Sequence, residues 1–228
     1  MGTERSGTRL KRDLAVILAE DDYESAMHRL GETPVKKTVN ILVSFLCHLD
    51  ERVRWRSVSA LGLLVAAMAE KSPEEGRILM RRFMWMLNEE SGGIGWGVPE
   101  VMGEIIFMSS ILDREYHRIL LSYLDEQGNF LDHDPLRQGA LWAMARVSET
   151  KPHLMNDGAH LSRAYLSSGN PVDRALASIV AGHLRDRESL PFLQNLVMDK
   201  TEITLYIEGD FSRLTVGGLS GKALKRFS

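Results

Sequence analysis

The sequence predicts an all-α solenoid, an α-α superhelix of about five stacked helix pairs. A short motif recurs every 40 residues or so, beginning at Val53, Ile94, Leu136, Asp173 and Val216. Between these points, apolar residues follow helical spacing, and prolines and acidic residues stand where helices would begin. A period of this length indicates helix pairs that bury their apolar faces only against neighbouring pairs.

Residues 8–34 are expected to form helices that precede the repeats. Leu10, Leu14, Ile17 and Leu18 follow helical spacing, which predicts a helix over Thr8–Ala19. Asp21-Asp22 offers the N-cap of a second, short helix that Gly31 would end.

The repeats are expected over residues 35–198. Pro34 opens the first helix, His48–Glu51 forms a tight turn, and Val53–Lys71 is the second helix. This helix carries small residues that let its neighbours approach closely, namely Ser57, Ala60 and Gly62. Ser72–Glu75 then opens the next pair. The later helices are predicted over Pro99–Leu112, Asp113–Glu126, Pro135–Glu149, Pro152–Ser167, Pro171–Arg185 and Leu190–Met198.

Residues 199–228 break the helical pattern. Ile203–Ile207 and Phe211–Val216 alternate in polarity around the turn residues Glu208–Asp210, which predicts a β-hairpin. Leu219–Phe227 is predicted to form a short helix. We expect the hairpin and this helix to cap the open end of the array, so that residues 1–228 form a single domain.

Composition and charge favour a globular protein and give no electrostatic footprint for nucleic acid. The 228 residues are 44% hydrophobic and 26% charged, with a net charge of −3. The basic clusters Arg52–Arg56 and Arg81-Arg82 are expected to form a solvated ridge or local ion pairs. No signal peptide is recognisable, and the longest apolar run, Ala60–Ala69, is too short to span a bilayer. A cytoplasmic protein with no membrane association is therefore expected.

Cys47 is the only cysteine, which excludes an internal disulfide and a zinc site built on several thiolates. Because it lies in the apolar run Ile41–Leu49, we expect it to be a small buried hydrophobe.

The turn and helix over Asp50–Gly62 resemble the HEAT repeat, including the short variety called phycobilisome-lyase-like HEAT repeats. The resemblance covers most of Val35–Met198 and implies a HEAT-like solenoid. It also implies an Asp–Arg ladder along the turns, with candidate rungs at Asp50 with Arg54, Asp132 or Asp134 with Arg137, and Arg174. Gly95 and Gly217 replace the arginine elsewhere. The segment Ser91–Ile105 also resembles a group of bacterial HEAT-repeat proteins, which implies no particular reaction.

Four glycines surround Trp96, namely Gly92, Gly93, Gly95 and Gly97. Glycine removes side-chain bulk and permits positive φ, so a ligand or another chain can approach the backbone. Two interpretations stay open: a tight turn with Trp96 packed on the neighbouring repeat, or a binding loop with Trp96 as an exposed anchor. No Lys-Ser/Thr follows the glycines, which excludes a P-loop.

A row of acidic and aromatic residues follows this segment. Trp96, Glu100 and Glu104 recur every four residues, which predicts that they share one helix face. Stacking places that face between Trp55, Ser59 and Leu63 of the preceding repeat and Gln138, Trp142 and Arg146 of the next. Such a wall would suit a cationic ligand or a basic peptide. The alternative is an exposed lattice of ion pairs such as Glu104–Arg146.

Asp132-His133-Asp134 has the chemistry of metal ligands, but adjacent residues rarely face one ion, and a helix N-cap is the alternative. No Ser-His-Asp or Cys-His grouping has supporting local sequence. We therefore expect no catalytic residue, metal or cofactor.

The expected function is a non-catalytic helical-repeat scaffold that binds a protein or peptide partner on the wall of second helices. Two alternatives stay open. The phycobilisome-lyase-like resemblance implies a lyase or chaperone for a tetrapyrrole-bearing protein. Trp96 and Glu100 also resemble the Trp and Asp residues of HEAT-like alkylpurine DNA glycosylases, which implies a DNA binder. In this chain Glu replaces Asp, and no basic stripe for a duplex is evident.

Overall fold

The structure, a computed structural model, describes residues 2–88 and 95–227, with side chains from Gly7 onward. Its helices are α1 Gly2–Ala19, α2 Tyr23–Gly31, α3 Val35–Phe45, α4 Glu51–Lys71, α5 Pro73–Leu87, α6 Val98–Met108, α7 Asp113–Ser122, α8 Asp134–Ser148, α9 Pro152–Met155, α10 Ala159–Arg163, α11 Pro171–Leu184, α12 Leu190–Leu196 and α13 Val216–Leu224. Short 3₁₀ turns lie at Asn156–Gly158, Ala164–Ser167, Arg187–Ser189 and Lys225–Phe227. One antiparallel hairpin joins β1 Glu202–Ile207 to β2 Asp210–Thr215.

The second helices of the repeats pack side by side in the order α4, α6, α8, α11 and α13. The first helices α3, α5, α7, α9 and α12 form the other layer of the array. This arrangement is the predicted all-α solenoid with a small hairpin in its C-terminal part. We call the face of α4, α6, α8, α11 and α13 that lies beside the hairpin the second-helix wall.

Glycines at the end of the repeated motif set the spacing of the second helices. A Cβ atom added to Gly62 of α4 would lie 2.6 Å from the Cβ of Glu104 on α6. At Gly103 of α6, an added Cβ would lie 2.4 Å from the Cβ of Ala143 on α8. The recurring glycine therefore marks the points where adjacent helices touch backbone to backbone, as the small residues of the sequence predict.

Side chains that accept hydrogen bonds from backbone N–H groups fix the start of several helices, and the cap predicted at Asp21-Asp22 is confirmed at Asp22. Asp22 accepts a hydrogen bond from the backbone N–H of Ser25 at 3.0 Å, which fixes the start of α2. Asp50 caps α4 in the same way through the N–H groups of Arg52 and Val53. Thr215 caps α13 through Gly218 at 3.1 Å, so this helix begins at Val216 and not at Leu219 as predicted.

The continuous helix predicted over Pro152–Ser167 is instead divided into α9, α10 and two 3₁₀ turns. Asn, Asp and Gly are poor helix formers, and they occupy the break at Asn156–Gly158. Gly158 also packs closely against Leu121, since an added Cβ would lie 2.5 Å from its Cδ2 atom.

The Asp–Arg ladder implied by the HEAT resemblance is only partly present. Asp50 caps α4 and does not pair with Arg54, which binds Glu51 at 3.1 Å. Asp134 does pair with Arg137 in the α8 turn. Arg174 binds Asp199, in the connection after α12, at 2.8 Å.

Two predictions about single side chains are wrong. Cys47 is exposed, because α3 ends at Phe45 and the thiol lies in the turn that follows. Arg56 is fully buried and does not belong to a solvated ridge. None of the helices in the described ranges is long and apolar enough to cross a bilayer.

Candidate functional site

The hairpin lies across the second-helix wall. Tyr206 of β1 stacks on Trp55 of α4, with ring centroids 5.1 Å apart and planes inclined by 19°. The indole N–H of Trp142 on α8 donates to the carbonyl oxygen of Tyr206 at 3.3 Å. The hydroxyls of Tyr206 and Ser59 lie 3.1 Å apart. The hairpin thus covers the middle of the array, while α13 packs against the last repeat helix, α11.

Arg56 holds the tip of the hairpin against the N-terminal helices. Its Nε donates to the carbonyl oxygen of Gly209 at 3.2 Å. Its terminal nitrogens donate to the carbonyl oxygens of Leu18 and Asp21 at 3.3 Å each, and to that of Glu20. A buried guanidinium is tolerated when carbonyl oxygens satisfy its donors in this way. Arg56 therefore ties the turn of the hairpin to the connection between α1 and α2.

Two cavities flank the hairpin. The larger has a volume of about 740 Å³ and is bounded by α2, α4, α6, α8, α11, α13 and the hairpin. The smaller, of about 200 Å³, lies between α4, α6, α8 and the two strands. Both are lined in part by Trp142, Leu176, Leu205 and Tyr206, so these residues lie between the two cavities.

Glu104 lies on the wall of the larger cavity and is 2% exposed. Its Oε1 accepts a hydrogen bond from Nε of Arg146 at 2.9 Å. Its Oε2 is buried and has no hydrogen-bond partner among the described residues. Burial raises the pKa of Glu104, and the nearby charge of Arg146 partly offsets that effect. The Glu104–Arg146 pair of the alternative interpretation is therefore formed, but the carboxyl group of Glu104 is buried and does not belong to an exposed lattice.

Glu100 occupies the smaller cavity, one helical turn before Glu104. Its carboxyl group lies against the backbone of Gly139, where any larger residue would collide with it. Its Oε2 atom is likewise buried and without a partner in the described part of the chain. Burial raises the pKa of Glu100 to about 7, and Arg54 on the same cavity wall opposes the shift weakly.

The residues predicted to form one binding site are only partly brought together. Glu100, Glu104, Trp142 and Arg146 line the two cavities. Trp96 lines neither, because it precedes α6 in a turn and contacts His133 edge to face, with ring centroids 5.1 Å apart. The prediction that Trp96 shares a helix face with the two glutamates is therefore wrong.

The predicted glycine-rich loop is described only in part, and Gly92 and Gly93 lie outside the described residues. Gly97 has a φ of +71° and stands at the N-cap of α6, against the side chain of Leu46. Gly95 packs against Leu87, at the end of α5. These two glycines shape the turn into α6.

Around the turn before α8, Asp132-His133-Asp134 does not form a metal centre. His133 is the N-cap residue, and Asp134 pairs with Arg137. Across the described ranges, no group of three or more His, Cys, Asp or Glu side chains is placed to hold a metal ion.

The sequence-based interpretation missed several residues that line the larger cavity. His183 and Arg226 occupy the same position of later repeats as the predicted Glu104 and Arg146, and all four line this cavity. Ser59, Glu100, Trp142, Ile179 and Lys222 occupy the position one turn earlier, and all of them face one of the two cavities. Extending the alignment of the repeats to α11 and α13 would have identified His183, Lys222 and Arg226. No local signal marked Tyr23 or Tyr206.

Several solved structures share the fold. A designed armadillo repeat protein in complex with the peptide (KR)4 has a TM-score of 0.54 at 14% identity, covering 95% of this chain and 98% of that one. An engineered protein has a TM-score of 0.54 at 15% identity, with 95% and 96% covered. A structure of computationally designed armadillo repeat proteins for modular peptide recognition has a TM-score of 0.50 at 14% identity, covering 95% of this chain and 99% of that one. No protein-family model matches the chain, and no curated protein does.

These similarities define the fold. The chain is an all-α helical-repeat solenoid with an armadillo-like arrangement of helices and a hairpin across its second-helix wall.

Proposed function

We propose that the chain is a non-catalytic helical-repeat scaffold that binds an extended segment of a partner protein. The segment would lie in the larger cavity, between the second-helix wall and the hairpin. The observation that carries this proposal is the buried carboxylate oxygen Glu104 Oε2, which has no partner in the described residues and belongs to a side chain that lines this cavity. Buried polar atoms are normally hydrogen-bonded, so such atoms favour a ligand that supplies donors.

The shape of the larger cavity favours an extended chain over a compact ligand. Its lining runs from Ser59 on α4 through Arg146 on α8 to Lys222 on α13. The path crosses four steps between adjacent helices of about 8–10 Å each, so it is roughly 35 Å long. A volume of about 740 Å³ spread along such a path makes a narrow groove. An extended peptide advances about 3.3 Å per residue, so roughly ten residues would span it.

The lining offers the contacts that a peptide needs. Trp142, Leu176 and Leu205 supply apolar surface. Glu104 supplies an acceptor for a backbone N–H or for a Lys or Arg side chain. The designed armadillo neighbour described in complex with the basic peptide (KR)4 supports the same class of ligand.

The test is selection from a random library of displayed peptides about 12 residues long, enough to span the groove at about 3.3 Å per residue. The best sequence is then synthesised, and its affinity is measured by isothermal titration calorimetry. Ile179 lines the cavity, so Ile179→Trp would fill it. Ile78 is 53% exposed on α5, which makes Ile78→Trp the matched control.

We expect Ile179→Trp to weaken binding at least tenfold and Ile78→Trp to leave the affinity unchanged. The proposal is wrong if no peptide binds the folded protein, or if the selected peptide binds Ile179→Trp as tightly as the original chain.

A further inference from the structure

Charges are unequally distributed along the larger cavity. Glu24 of α2 and Glu208 in the hairpin turn lie at the end nearest the N-terminal helices. His183 of α11, with Lys222 and Arg226 in and after α13, lies at the opposite end. The groove is therefore acidic at one end and basic at the other.

The repeats themselves carry this asymmetry. At one repeat position the side chain changes from Glu104 to Arg146, then to His183 and finally to Arg226. The change of sign falls in the middle of the wall, where Glu104 and Arg146 neutralise each other at 2.9 Å. Arg146 is further paired with Glu149 at 2.7 Å. At the centre of the groove one arginine thus lies between two glutamates, and the charges without ion-pair partners among the described residues lie at its ends.

Within the described ranges, the charged side chains at the two ends have no ion-pair partners. Among the ion pairs of the described residues, none involves Glu24, Glu208, Lys222 or Arg226. His183 accepts or donates one hydrogen bond with Ser148 at 3.0 Å. Unpaired charges at both ends of a groove favour a ligand with the complementary arrangement of charge.

We infer, on the basis of the proposed function, that the partner segment carries opposite charges at its two ends and binds in one direction only. Its basic end would lie beside Glu24 and Glu208, and its carboxylate-bearing end beside Lys222 and Arg226. Between these ends, the buried Oε2 of Glu104 accepts a hydrogen bond from the segment. The carboxylates at the second end belong to acidic side chains or to a chain terminus, which share the same chemistry.

The experiment compares the peptide selected from the random library with two relatives of identical composition. One relative has the sequence reversed, and the other has the charged residues of its two ends exchanged. All three peptides are also made with an amidated C-terminus.

The affinity of each peptide is measured for the wild-type chain and for two variants. The double variant carries Lys222→Glu and Arg226→Glu, and the fourfold variant adds Glu24→Lys and Glu208→Lys. Exposed Lys37 and Arg118, changed together to Glu, give the control with the same change in net charge.

We expect the reversed peptide to bind the wild type at least tenfold more weakly than the selected one. The double variant Lys222→Glu with Arg226→Glu should bind the selected peptide about tenfold more weakly than the wild type. The control variant at Lys37 and Arg118 should change the affinity less than twofold. The fourfold variant should prefer the end-exchanged peptide. An effect of amidation identifies a chain terminus, and its absence identifies acidic side chains.

The inference is overturned if the selected peptides share no order of charge, or if the fourfold variant shows no change of preference. If Ile179→Trp still abolishes binding in that case, the proposed function stands and only the direction of the segment is wrong. If no peptide binds at all, both fail together.

Discussion

Glu100 shows how a single buried carboxyl group couples this fold to pH. Its carboxyl group lies against Gly139 in the smaller cavity, and burial raises its pKa from 4.5 to about 7. The folded chain therefore binds this proton more tightly than the unfolded chain does. The stability that the neutral carboxyl contributes is complete below pH 4.5 and is lost as the pH rises through 7.

Replacing Glu100 with Gln removes this titration while keeping the size of the side chain. Between pH 5 and pH 8, we expect the wild type to lose about 2 kcal/mol of unfolding free energy relative to Glu100→Gln. Urea unfolding of both chains at a series of pH values measures the difference. Groups that titrate equally in both chains make no contribution to the difference in their unfolding free energies. If this difference is constant from pH 5 to pH 8, the carboxyl group of Glu100 stays ionised in the fold and the prediction is wrong.

At the scale of elements, the hairpin depends on contacts far away in the sequence. Arg56 holds the hairpin tip by donating to the carbonyl oxygen of Gly209, and it binds the α1–α2 connection at the same time. Removing this guanidinium leaves carbonyl oxygens without their donors, a loss that costs about 3 kcal/mol. Because a two-stranded ribbon is marginal by itself, that loss should release the hairpin before the helices.

Arg56→Leu tests this dependence. Under native conditions we expect the backbone amides of β1 and β2 to exchange their hydrogens about 100-fold faster, since about 3 kcal/mol of opening free energy is lost. Amides of α8 should change less than those of the strands. Arg77→Leu removes a half-exposed arginine that pairs with Glu115 at 2.7 Å, and serves as the control. Equal acceleration in strands and helices would mean that Arg56 stabilises the whole array and not the hairpin in particular.

How far the sequence predicts these elements depends on the range of the contacts involved. Helices such as α4 follow from apolar spacing and the Asp50 cap, which are local signals. The hairpin follows from alternation in the same way. The burial of Arg56 does not follow from local signals. Its partners are backbone carbonyl oxygens of distant residues such as Gly209, which leave no pattern in the sequence. The break at Gly158 depends likewise on packing against Leu121.

The candidate site was likewise predictable only where local spacing and the repeat period determine it. Spacing by four residues placed Glu100 and Glu104 on one helix face, and the period of the repeats placed Trp142 and Arg146 beside them. The spacing failed for Trp96, because α6 begins at Val98, after the turn that holds the indole. The cavities themselves were not predictable, since they exist only where the hairpin docks on the wall.

At the scale of the whole molecule, the hairpin and α13 complete an array that would otherwise expose apolar surface. Ile203, Leu205 and Tyr206 are buried against the wall, and α13 covers α11 where Gly182 meets Ala223. Helical arrays require terminal units with a polar outer face to stay soluble. Here the same segment also forms one side of both cavities, so stability of the array and shape of the groove depend on one element.

Removing residues 200–228 separates these contributions from those of the repeats. The shortened chain should keep its helical circular dichroism, because α3 to α11 contact mainly their immediate neighbours. We expect its melting temperature to fall by at least about 10 °C, since several buried apolar side chains are lost. Size-exclusion chromatography with light scattering should show self-association through the exposed Trp55 and Trp142. Removing only residues 225–228, whose Lys225 and Arg226 are exposed, should lower the melting temperature by a few degrees at most. A monomeric shortened chain with the original melting temperature would show that the wall is stable without its cover.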